Sequence, residues 1–139
     1  MENNVTEVLR KHNLKVTATR TKVLEQFYLN DHALTHHDLE TTIPELDRVT
    51  IYRTLNAFEE NGITHKVMNP NGVATFALCR SQCTEHVHHD NHFHFQCYEC
   101  EKTFCLDEIL HQTIHIPKGF IMKDVKLFIG GVCNNCTAK

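Results

Sequence analysis

Two Cys-x-x-Cys pairs carry the clearest chemistry in this 139-residue chain: Cys97-Tyr-Glu-Cys100 and Cys133-Asn-Asn-Cys136. Four thiolates delivered by two such knuckles close a tetrahedron around Zn²⁺ with bonds of about 2.3 Å and leave no open coordination position. A site of that kind builds structure and does not catalyse. The 32 residues between Cys100 and Cys133 exceed a simple zinc ribbon, so the ion would staple a whole small domain. Structural zinc binding is worth about 10–16 kcal/mol, enough to fold a segment too short for a large apolar core. Disulfides are one alternative, disfavoured where thiols are kept reduced. A redox Cys-x-x-Cys is another, and it needs one pair, not two.

A second constellation mixes nitrogen and sulfur donors. His92 and His94 alternate with Phe93 and Phe95, so a strand here points both imidazoles one way and both phenyl rings the other. His65 and Cys79 lie on two earlier strand-like stretches, and Cys105 stands five residues past Cys100 at the start of an expected helix. Mixed N and S ligands suit Zn²⁺, whereas an all-N/O set would better suit Fe²⁺ or Mn²⁺. The expectation is a second, exchangeable metal site drawn from His65, Cys79, His92, His94 and Cys105, where two halves of the chain touch. Twelve histidines and seven cysteines supply the donors, ten of them between Cys79 and Cys105. Cys83, His86, His88 and His89 offer weaker sites or plain solvated groups. His32, His36 and His37 are ambiguous, with His32 able to reach the hinge.

Catalytic zinc would need an open position beside a base. Neither His-Glu-x-x-His nor the deaminase pattern of His-x-Glu with a later Pro-Cys-x-x-Cys occurs, so the chain is expected not to be an enzyme. The composition, 41% hydrophobic and 22% charged, is that of a soluble globular protein. No run of 18 apolar residues exists and the first residues lack signal-peptide character, which predicts a cytoplasmic protein with no membrane partner. The formal charge of −3 argues against a generic polyanion binder. Residues 1–24 nevertheless set Arg10, Lys11, Lys15, Arg20 and Lys22 against Glu2 and Glu7, a local +3 that suits phosphate contact or a solvated helix face.

The elements that position these groups begin with helices. Val5, Val8, Leu9 and Leu14 form one apolar stripe, and Val23, Leu24, Phe27 and Tyr28 another from about Thr19. Thr35 and Asp38 have capping spacing for a short helix ending at Ile43-Pro44. A further helix from near Arg48 buries Ile51, Leu55 and Phe58, shows Thr50, Arg53, Thr54 and Asn56 on its other face, and stops at Asn61-Gly62. His65–Met68 and Val73–Leu78 then read as strands of a hairpin. This order is that of a winged helix-turn-helix, in which the helix before the wing reads a major groove. Short helical repeats in protein-interaction domains are the alternative. Residues 81–91 read as a hinge, Leu106–Ile114 as a helix, Pro117-Lys-Gly119 as a turn, and Val125, Leu127 and Ile129 as a last strand before Gly130-Gly131. The fold class expected is α+β.

Leu14-Lys15-Val16-Thr17 with Arg20, then Val49-Thr50-Ile51-Tyr52-Arg53-Thr54-Leu55, then His-x-His ahead of Cys-x-x-Cys, and the closing Cys-x-x-Cys follow one another along nearly the whole chain. In that order they resemble the ferric uptake regulator family of bacterial metal-responsive repressors. The resemblance implies a homodimer, with residues 1–80 a winged-helix DNA-binding domain, 81–91 a hinge and 92–139 a zinc-stapled α/β dimerisation domain. It also implies repression by binding palindromic double-stranded operators when the regulatory metal is present. Thr50, Tyr52 and Arg53 would sit on the recognition helix, and Lys15 and Arg20 would approach DNA from the N-terminal segment. His65-Lys66-Val67 ahead of Cys79 resembles the zinc-uptake regulator branch, and Cys105 stands where iron and peroxide sensors carry a carboxylate. Asn91 and Phe93 occupy the places of a further regulatory site in some members, and Ala33 that of a helix-proximal His. An iron or peroxide sensor is the nearest alternative. A zinc storage or trafficking protein is a more distant one.

Overall fold

A computed structural model of the chain describes residues 2–79, 93–106, 115–123 and 128–138. The chain divides into two units, residues 1–90 and 91–139. The first begins with α1 (Glu2–Lys11), whose Val5 and Leu9, one turn apart, are fully buried. Asn13 then takes a left-handed conformation at φ 62°, and the Leu14 amide donates back to the Leu9 carbonyl at 2.8 Å. That bond ends the helix in the manner of a left-handed cap. Thr17 caps α2 (Ala18–Leu29) by accepting from the Arg20 amide, and Val23, Leu24 and Phe27 face inward.

Thr35 and Asp38 form a reciprocal capping box at the start of α3 (His36–Thr42), as their spacing predicts. Asp47 caps α4 (Arg48–Glu60) by accepting from the Thr50 amide. Gly62, at φ 78°, turns the chain out of α4 where a side chain would be strained. Ile51, Leu55 and Phe58 are buried as expected. Thr54 is not on the exposed face assigned to it from spacing: it is buried, and its hydroxyl donates to the Thr50 carbonyl at 2.8 Å. A threonine can face the core when its own helix satisfies its hydroxyl.

Three strands complete the first unit: β1 (Leu34–Thr35), β2 (Thr64–Met68) and β3 (Ala74–Leu78), in the order β1-β3-β2 and all antiparallel. The wing turn is fixed by Asn69, whose side-chain oxygen accepts from the Asn71 and Val73 amides, each at 2.9 Å. One apolar cluster, from Val5 and Leu9 through Leu24, Phe27, Leu39, Ile51, Leu55 and Phe58 to Phe76, joins every helix of the unit to its sheet.

Among the described residues, the second unit has a three-stranded sheet of β4 (Phe93–Cys97), β5 (Thr103–Leu106) and β6 (Phe128–Gly131), in the order β5-β4-β6. β5 runs antiparallel to β4, and β6 parallel to it. A single helical turn, α5 (Asn134–Thr137), follows. Cys105 and Leu106 therefore lie on a strand, not at the start of a helix; the rest of the expected helix, 107–114, lies outside the described residues, as do Val125, Leu127, His92 and the hinge at 81–91. Pro117-Lys-Gly119 does form a turn, closed by the Phe120 amide on the Pro117 carbonyl at 3.2 Å. Gly130 and Gly131 end the last strand from within it. A Cβ at Gly130 would collide with the Tyr98 hydroxyl. Among the described residues no helix is long and apolar enough to cross a membrane.

Candidate metal centre

The four knuckle cysteines come together in the second unit, with their sulfur atoms all within 4.8 Å of one another. Cys97 closes β4, and the turn after it returns the chain by two bonds, Cys97 amide to Lys102 carbonyl and Glu101 amide to Cys97 carbonyl, both 3.0 Å. Glu101 takes the left-handed conformation, φ 62°, that this tight return demands. The Tyr98 amide donates to the Gly131 carbonyl at 2.7 Å, which lashes the first knuckle to β6 just ahead of the second. Cys133 stands at the N-cap of α5, so Cys136, three residues on, falls on the same side of that turn.

The distances fit a tetrahedral zinc ion. Bonds of about 2.3 Å place tetrahedral sulfurs about 3.8 Å apart, and Cys100 Sγ lies 3.8 Å from Cys133 Sγ. The Cys100 and Cys133 amides donate to Cys97 Sγ at 3.5 and 3.3 Å. With Cys100 contributing most, these amides bring the Cys97 thiol down to about 6, so it is a thiolate at neutral pH. Cys136 goes the other way, pushed up to about 12 by desolvation and by the three sulfurs around it. Four thiolates gathered this closely repel one another, and a divalent ion bound here would offset that repulsion.

Among the described residues, each unit also brings a His and a Cys together. In the first, His65 on β2 is buried and its Nδ1 lies 3.8 Å from Cys79 Sγ. The hairpin register sets this: Thr64 faces Leu78, and the Cys79 amide donates to the Ile63 carbonyl at 2.8 Å, which carries the pairing one residue past the strand. In the second, His94 and Cys105 are direct partners across β4 and β5, and residues directly opposite project from the same face of a sheet. The His94 ring stacks on Phe128 at 5.4 Å. Sequence spacing alone does not give the His94–Cys105 pairing, because it depends on the return turn at Glu101.

The residues expected to touch DNA separate into two kinds. Val49, Tyr52 and Arg53 form an exposed stripe on α4, with Tyr52 56% exposed, and Thr50 is half-buried beside them. The Thr50 hydroxyl and amide, with the Arg53 charge, hold the Asp47 carboxyl below its usual range. Lys15 is exposed, but the Arg20 guanidinium donates to the Lys15 carbonyl at 2.8 Å, so Arg20 fixes the approach segment instead of standing free. His32 lies 3.3 Å from Asp31, and His36 lies 3.2 Å from Glu40. Sequence reading did not single out the two amides on Cys97 or the Tyr98–Gly130 contact. The glycine pair beside the second knuckle is their only trace in the sequence.

A helix-turn-helix with a wing, followed by a small sheet closed on four cysteines, is the architecture of a two-unit metal-dependent regulator. The ferric uptake regulator family model matches residues 11–129, and the chain belongs to that family of metal-responsive transcription regulators. The ferric uptake regulation protein of Neisseria meningitidis serogroup A is 32% identical over 148 residues, covering 99% of this chain and 95% of that protein. Among solved structures, a zinc uptake regulator complexed with zinc and DNA has a TM-score of 0.63 at 20% identity, covering 98% of this chain and 92% of that one. The Vibrio cholerae ferric uptake regulator gives 0.61 at 20% identity over 92% of this chain and 98% of that one.

Proposed function

We propose that the protein is a zinc-responsive repressor of metal-uptake genes that grips palindromic operator DNA as a homodimer. The Cys97, Cys100, Cys133 and Cys136 set holds a permanent zinc ion that keeps residues 92–139 folded and paired with a second copy. Residues 1–80 are the reading arm, joined through a hinge at 81–91. A second, exchangeable zinc ion takes its ligands from among His65 and Cys79 on the arm and His92, His94 and Cys105 on the pairing domain. The observation that carries this reading is the matching His/Cys pair in each unit, each offering one nitrogen and one sulfur, a donor set that suits zinc better than iron or manganese. Ligands shared between arm and pairing domain restrict the arms to a spacing that fits successive major grooves. The closed population is selected because it binds the ion better than the splayed one. Thr50, Tyr52 and Arg53 read the groove, and Lys15, fixed by Arg20, meets the backbone.

The coupling is reciprocal and of the order of 1–3 kcal/mol, so operator DNA tightens zinc binding. Operator binding titrated with zinc, with iron and manganese as controls, tests the reading. Cys79→Ser and His92→Ala should leave a folded dimer that no longer responds to zinc; full zinc-dependent binding by both would sink the sensor assignment. An iron response is the second reading, favoured by the 32% identity to a ferric uptake regulation protein. Affinity that follows iron and ignores zinc in the same titration would establish it.

A further inference from the structure

Glu40 on α3 stands where the two helices of the turn meet. One of its carboxylate oxygens lies 3.2 Å from Nε of Arg48, the first residue of α4. The same oxygen lies 3.2 Å from Nδ1 of His36, one turn earlier on α3. The other ring nitrogen of His36 lies 3.2 Å from the Arg48 carbonyl oxygen. Asp47, next to Arg48, is engaged elsewhere: it accepts from the Thr50 amide at 2.7 Å. The first cation of the helix is thus tied to the helix that braces it, yet its side chain is 83% exposed.

An ion pair so open to water holds weakly. Arginine binds phosphate through two parallel charge-assisted hydrogen bonds, so a duplex backbone lying along the start of α4 outcompetes a single carboxylate contact. After the exchange the Glu40 carboxylate keeps the His36 imidazole beside it. We propose that Arg48 is a further DNA-contacting residue and that Glu40 is a positioning residue that holds it away from phosphate until a duplex arrives, lowering basal affinity. The inference rests on α4 being the reading helix.

The test uses the full-length zinc-loaded protein and a duplex that the wild type selects from a random pool. Glu40→Gln should tighten binding by about two- to fivefold for each protomer engaged. Its logarithmic salt slope should stay that of the wild type, because Arg48 neutralises the same phosphate in both complexes, whereas Arg48→Gln should lose about 0.9 per protomer. The gain should vanish in the Glu40→Gln/Arg48→Gln double variant. Arg48→Gln alone should bind more weakly with a shallower salt slope, which keeps the test valid should Glu40→Gln fold poorly. An unchanged affinity in Glu40→Gln, a gain that survives in the double variant, or no effect of Arg48→Gln overturns the proposal and leaves the repressor reading intact. Failure of the zinc-loaded wild type to select any duplex would instead refute that reading, and this inference with it.

Discussion

The two units reach stability by different routes. The first buries a continuous set of aliphatic and aromatic side chains contributed by all four of its helices and by β3. In the second, the described residues that are buried are Cys97, Cys133, His94, Gln96 and Thr103, while Tyr98, Phe120, Ile121 and Met122 are exposed. A core of leucines and phenylalanines folds on hydrophobic transfer alone. A core of thiols and polar groups needs something to replace the lost hydration, and four sulfurs meeting at one point supply it only when they share a cation. Among the described residues, the first unit therefore packs on an apolar core, while the second converges on a cysteine cluster fit to hold a metal ion.

The largest effect expected is at the cysteine site. Cys97→Ser should remove the thiolate that two backbone amides hold, abolish tight zinc binding and unfold the second unit, while the first keeps its helical circular dichroism. Amide exchange resolved by residue checks this, and a protected β4 in the variant would break the contrast. Phe58→Ala should do the converse. It opens a cavity in the arm and costs about 3–5 kcal/mol in a urea titration, with zinc content unchanged; loss of zinc along with the arm would show that the units are not separable. Arg53→Ala should weaken operator binding by about 1–3 kcal/mol with no change in fold or metal, and normal affinity would remove Arg53 from the reading surface. The smallest effect is at the capping box: Thr35→Ala should lower arm stability by about 1 kcal/mol, read as a shift in the urea midpoint. No shift would mean that β1, not the cap, holds the start of α3.

The first unit is far more legible in the sequence than the second, because its core is written in apolar side chains at helical spacing. Helical stripes such as Ile51, Leu55 and Phe58 write burial directly into spacing. What spacing missed there was small: β1 has two residues, too few for alternation to register. Thr54 hides its hydroxyl in its own helix. In the second unit the cysteine spacing marks the candidate ligands, but it does not reveal that Cys105 lies on a strand, because Thr103–Leu106 is only four residues long. Its assignment to β5 follows from a left-handed turn at Glu101, which no residue preference announces. The His65–Cys79 proximity likewise depends on a hairpin register that composition does not specify.

In the proposed mechanism one metal site builds the protein and another switches it. Graded chelation, followed in one sample by operator binding and by amide protection of β4, tests that claim directly. Operator binding should disappear first, at chelator strengths that leave β4 protected and one zinc ion per protomer bound. Loss of both signals together, or operator binding that persists until the last ion leaves, would contradict the account.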